Sequence, residues 1–260
     1  MTPWWIIPAF LVALPALAAA YHAYGPISRS RLTAFARWHE LPITTANGNQ
    51  VIRYLAVTRR WRSAGLITGW AVAFAVELPQ GRVSFNPLVL FAGWFAGALA
   101  AEIHLAIVVH GRRRTASLVP RTPKRYVSAV VWGLLPVGAL AGIAVLPGAV
   151  AEGTLTAATV SWTALALAIV LVVALVRRKV LLRAQPVEPA DVIRADDAIR
   201  SRSLHVLSGG GFALAAYCAL AALATRGTTE AGVAAVAGLA VLAVGITAAR
   251  SRRPAPRPAA

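Results

Sequence analysis

Glu102 is the residue whose type and position most invite chemistry. It stands in an apolar run over 88–110, fifteen residues from the start and eight before His110. At 1.5 Å per helical residue it lies about 12 Å inside the nearer end of that run. An isolated charge at such depth costs roughly 2.5–3.5 kcal/mol on insertion scales. Glu102 is therefore protonated, paired with another group or turned to a wet cavity, and it is a candidate proton relay. His104 is its neighbour in sequence, but residues two apart point to different faces of a helix. The Ala101-Glu102-Ile103-His104 run is thus a poor metal site, because helical ligand pairs are spaced three or four apart. His104 enters only as a second proton-relay candidate. His22, His110 and His205 stand near the ends of apolar runs.

Other patterns of catalysis are missing from the sequence. It holds no Gly-x-x-x-x-Gly-Lys phosphate loop, no His-Glu-x-x-His and no Gly-x-Ser-x-Gly. No Cys/His set has zinc spacing, and the lone Cys218 reads as a packing residue. No catalytic residue, metal site or cofactor is assigned.

The elements that hold these residues are apolar segments of membrane-spanning length. About 20 apolar residues cross the hydrocarbon as a helix. Seven segments meet or approach that length: 4–24, 63–78, 88–110, 126–146, 156–176, 204–224 and 231–249. The fold class expected is an all-α integral membrane bundle, a single domain over 1–249. A basic, Pro-rich tail over 250–260 is expected to be disordered.

The charges give these segments a direction. Of the 26 Lys and Arg, all but Arg82 and Arg226 lie in alternate connections: 25–62, 111–125, 177–203 and the tail. Seven spans with the N-terminus outside place every one of these connections in the cytoplasm, as the positive-inside rule asks. Removing a span would divide the basic loops between the two sides. The first segment has no basic n-region, so it reads as a retained anchor and not a cleaved signal.

Composition agrees. The 260 residues are 58% hydrophobic and 13% charged, with a net charge of +17. A soluble domain of that size could not hide so much apolar surface, and a disordered chain would be poor in it. The basic excess would suggest nucleic acid in a soluble protein. Here its alternation follows topology, so the expected partner is the bilayer and not nucleic acid.

The basic loops carry the remaining signals. In 25–62, Leu41-Pro42 and Asn47-Gly48 read as turns. Val51, Ile52 and Leu55 then share a face of a short interfacial helix feeding the second span. Arg53, Arg59, Arg60 and Arg62 surround it. With Arg112, Arg113 and Arg114 of the next basic loop, they are candidates to contact anionic lipid headgroups. In 177–203, Pro186 and Pro189 break the chain and Asp191 occupies an N-cap position. Asp196 with Arg200, and Arg194 with Asp197, have helical pairing distances. Exposed pairs of this kind are weak, so the segment reads as a solvated helix and, alternatively, as a docking element for a cytoplasmic partner.

Glycines mark close helix packing. Gly65 and Gly69, Gly93 and Gly97, and Gly138 and Gly142 each form a small-xxx-small face. Such faces suit a compact bundle and are compatible with a homo-oligomer.

Three function classes follow, in this order. The first is a non-catalytic membrane component or accessory subunit of a transport, export or signalling system, with a cytoplasmic or membrane protein as partner. The second is a small proton-coupled transporter or channel using Glu102. The third is an intramembrane enzyme, which would need more polar groups converging at one depth. The location expected is a bacterial inner or plasma membrane.

Overall fold

A computed structural model describes residues 6–78, 87–107, 114–115, 122–183, 185–186 and 189–250. The elements in chain order are α1 (Ile6–Tyr24), α2 (Arg29–Trp38), α3 (Thr45–Glu77), α4 (Pro87–Ile107), β1 (Arg114–Thr115) and α5 (Pro123–Tyr126). They continue with α6 (Ala129–Ala151), α7 (Ala157–Leu182), β2 (Gln185–Pro186), α8 (Ala190–Ala224) and α9 (Thr228–Arg250). The fold is helical; the one extended pairing among the described residues joins Arg114 to Pro186 and Thr115 to Gln185, antiparallel. Four of the described helices are long and apolar enough to cross a membrane: α6, α7, α8 and α9. Within α4, Val89–Leu105 is a shorter apolar stretch. The tail 251–260 lies outside the described residues.

Each predicted segment falls on a helix, but several boundaries differ for local reasons. Asn47-Gly48 is not a turn ahead of a short helix. Thr44 Oγ1 accepts from the Asn47 N–H at 3.3 Å, and Asn47 Oδ1 accepts from the Thr44 N–H at 2.9 Å. This capping box starts α3 at Thr45 and satisfies two donors a helix start would otherwise orphan. The basic segment and the second apolar segment are therefore one helix of 33 residues, about 50 Å long. The 35-residue α8 repeats this arrangement. Nothing interrupts α8 from Ala190 to Ala224, so the acidic-and-basic segment and the sixth apolar segment are continuous. Asp191 is not its N-cap; Pro189 holds that position, and Asp191 Oδ1 accepts from the Val192 N–H at 3.0 Å. Tyr126 does not begin the fourth long helix. It closes the one-turn α5, and α6 starts three residues later behind the Ser128 cap.

The described chain forms two compact units. One comprises Met1–Ala36 and Ile43–His110, the other Arg37–Pro42 and Gly111–Ala260. In the first unit α3 packs along α4 and α1 packs on α3. The glycine faces of α3 and α4 interlock. A Cβ at Gly65 would sit 2.7 Å from the Gly97 nitrogen, and one at Gly69 would sit 3.0 Å from Gly93 Cα. The two backbones touch there, which only glycine permits.

In the second unit α8 is the central helix, packed by α6, α7 and α9. Its Leu204, Leu207, Ala215, Cys218 and Ala222 are buried. Gly209 meets the α9 backbone, where a Cβ would lie 2.6 Å from the Ala249 nitrogen. Gly138 of α6 faces Ala215 of α8, and Gly142 faces Ala166 of α7. The small-residue faces are thus filled within the chain. The outer helices present Leu140 and Ile143, Leu171 and Leu175, and Val236 and Leu239 outward, an apolar exterior consistent with a helical membrane protein.

Candidate functional site

Glu102 sits on α4 and is 2% exposed. The buried Tyr54 hydroxyl, on α3, donates to Glu102 Oε1 at 3.2 Å. The close backbone approach at the glycine faces brings these two side chains within reach. Tyr54 is held in turn by Phe35, with ring centroids 6.3 Å apart. His104 turns elsewhere, its ring 5.8 Å from that of Trp61. The fold therefore gives Glu102 a tyrosine partner and His104 an aromatic one. Tyr54 is a member of this site that sequence reading missed. Its signal was a hydroxyl on the inward stripe of α3, with Val51 and Thr58.

The candidate lipid contacts of α3 separate into different roles. Arg53 is exposed. Arg59 donates to the Gly25 and Pro26 carbonyls just past the end of α1. Arg60 stacks over Tyr24 at 5.2 Å from the ring centroid, and Arg62 over Trp94 at 5.0 Å. Arg112 and Arg113 lie outside the described residues; Arg114 lies in β1.

The largest polar cluster was not anticipated. The first half of α8, expected to be solvated, is mostly buried from Ala195 onward, while Ala190 and Arg194 are exposed. Asp196 bridges Arg183 at 2.6 Å and Arg200 at 2.8 Å. The Arg200 side chain is 0% exposed and directs Nη1 at the Val180, Leu181 and Arg183 carbonyls, at 2.9, 2.7 and 3.0 Å. It thereby satisfies the carbonyls that α7 leaves open at its end. Asp197 does not meet Arg194. It accepts from the Tyr126 hydroxyl at 3.0 Å and from Arg125 at 3.3 Å. Ser201 donates to the Tyr126 carbonyl at 2.8 Å, and His205 Nδ1 lies 2.8 Å from the Ser201 carbonyl.

Two further arginines add polar contacts in the second unit. Arg202 donates to the Ala249 carbonyl at 3.0 Å and stacks over Trp38 at 5.4 Å. Buried Arg177 lies 3.4 Å from the Trp132 ring centroid and donates to the Trp132 carbonyl at 3.1 Å. His39, buried beside this group, is pushed down to about 4 from its ordinary 6.5 by burial, then by the charge of Arg202 and by His205. The sequence did carry a signal for this burial. Val192, Ala195, Ala198 and Ile199 repeat at helical spacing, so one face of the charged segment is apolar.

This arrangement can hold helices together. Among the described residues no group of three or more His, Cys, Asp or Glu is placed to bind a metal ion. No family model, curated protein or solved structure matches the chain.

Proposed function

We propose that this chain is a seven-span protein of a bacterial cell membrane, N-terminus outside and C-terminus in the cytoplasm. Its role is that of a non-catalytic component or accessory subunit of a transport, export or signalling system. One observation carries the reading: the charged side chains in the buried part of α8 are spent on one another and on helix ends. Asp196 and Asp197 are both ion-paired, and Arg200 and Arg202 cap helix ends. Such satisfied networks rigidify a scaffold. Affinity capture of the tagged protein from native membranes in mild detergent, read by mass spectrometry, tests it. A stoichiometric ATPase, kinase or second membrane subunit is expected; a solitary protein overturns the accessory role.

A second reading is favoured by the buried Glu102–Tyr54 pair. A carboxyl and a phenol in contact can pass a proton, which suits a proton-coupled transporter or channel. In liposomes Glu102→Gln would then abolish proton flux and leave the fold intact. A variant that loses thermal stability and keeps its flux assigns Glu102 to structure alone.

A further inference from the structure

Three arginines from two helices converge on residues 22–26. Arg59 of α3 donates to the carbonyls of Gly25 and Pro26. Arg31 of α2 brings Nη2 to 3.0 Å from His22 Nε2. Arg60 of α3 lies over the Tyr24 ring. Arg31 and Arg60 are exposed. Among the described residues no carboxylate pairs with any of the three. Those of this unit are Glu77, at the end of α3, and Glu102, bonded to Tyr54.

The end of α1 carries a partial charge of about −0.5. That accounts for one arginine as a cap and leaves the other two as surplus. The crowding is felt electrostatically: partial burial, then the charges of Arg31 and Arg60, hold the Arg59 guanidinium below its ordinary value. Arg59 Nε also has no protein partner. Tyr21 and Tyr24 stand exposed alongside, the kind of amphipathic ring that settles at a lipid–water boundary.

We propose that Arg31, Arg59 and Arg60, gathered at the end of α1 beside Tyr21 and Tyr24, bind the phosphate of an anionic phospholipid headgroup. The site rests on the reading that α1 ends at a membrane surface. It is narrower than a general attraction of basic loops to lipid. Arg62, turned onto Trp94, and Arg53 are not part of it.

The test uses the purified full-length protein in detergent. It is titrated with phosphatidylglycerol and with phosphatidylcholine, and retained lipid is counted by native mass spectrometry. Phosphatidylglycerol is expected to be held preferentially. R31Q/R60Q should weaken it about twenty-five-fold, at about fivefold for each surface arginine. R178Q/R194Q removes the same charge from two other exposed arginines and should stay close to wild type. Equal losses in the two double variants, or none in R31Q/R60Q, overturn the site. Displacement of the lipid by millimolar inorganic phosphate would instead identify a soluble anion as the occupant and overturn the lipid assignment. If R31Q/R60Q does not fold, R60Q alone carries the test with about a fivefold loss. Thiol labelling of the loops reads the topology independently. A normal labelling pattern without lipid preference therefore removes the site and spares the seven-span reading.

Discussion

Arg200 shows how much one side chain can do in this protein. It neutralises Asp196 and satisfies three carbonyls at the end of α7 with no exposed surface of its own. Arg200→Ala would leave a buried carboxylate with Arg183 alone and orphan the helix end. The expected loss is about 3–5 kcal/mol, seen as a lower unfolding midpoint in detergent. Arg53→Ala, at an exposed position, should stay within about 0.5 kcal/mol. His39 sets a pH dependence. Burial, Arg202 and His205 hold it down at about 4, against 6.5 in the unfolded chain. The folded state thus keeps His39 neutral while the unfolded state takes up a proton, so stability rises with pH across this window. The contribution is complete above pH about 6.5 and is lost as pH falls towards 4, roughly 3 kcal/mol in all. Unfolding midpoints measured from pH 7 to 4 should fall more steeply for wild type than for His39→Phe.

At the scale of elements, glycine decides which helices touch. A Cβ at Gly97 would lie 3.0 Å from Arg62 Cα and closer still to the Trp61 backbone. Backbone cannot swing aside as a side chain can, so Gly97→Ala must push α3 and α4 apart. A loss of about 1–3 kcal/mol is expected, with weakening of the Tyr54–Glu102 bond that depends on the same approach. Gly133, in α6, has open space where its Cβ would go. There the gain in helix propensity acts alone, and Gly133→Ala should stabilise by up to about 1 kcal/mol. Thermal unfolding of the two variants side by side distinguishes packing from propensity; equal effects would contradict the interlocked faces. The capping box is the second device at this scale. Its Thr-x-x-Asn pattern was visible in Thr44 and Asn47, yet Asn47-Gly48 reads more readily as a turn. The side-chain hydrogen bonds decide between the two.

At the scale of the molecule, the same arginines that suggest a topology also close helix ends. Arg59 meets the carbonyls after α1, Arg200 those of α7 and Arg202 that of α9. In the proposed orientation all three ends are cytoplasmic, where positive charge is favoured and where a cation complements a helix C-terminus. One charge thus serves two purposes. The orientation is tested with single cysteines. Val83→Cys should react with an impermeant thiol reagent added outside intact cells, and Ser117→Cys should react only after permeabilisation. The reverse pattern would invert the topology.

The helical class, the apolar segments and the alternation of charge were legible in the sequence. They depend on local quantities: the length of an apolar run, and the cost of placing charge in hydrocarbon. Glycine spacing was visible too, but not what it touches, and the cap read at Asp191 belongs instead to Pro189. The tertiary structure decided which charges are buried and with whom. Glu102 finds Tyr54 from 48 residues away, and Asp197 finds Tyr126 from 71. The Val192, Ala195, Ala198 and Ile199 stripe marks one face of 190–202 as apolar, but the charge pairs beside it have the same spacing whether exposed or buried. Whether water or protein surrounds Asp196 and Arg200 is settled by α7 and the turn before α6, and no local pattern in α8 encodes its neighbours.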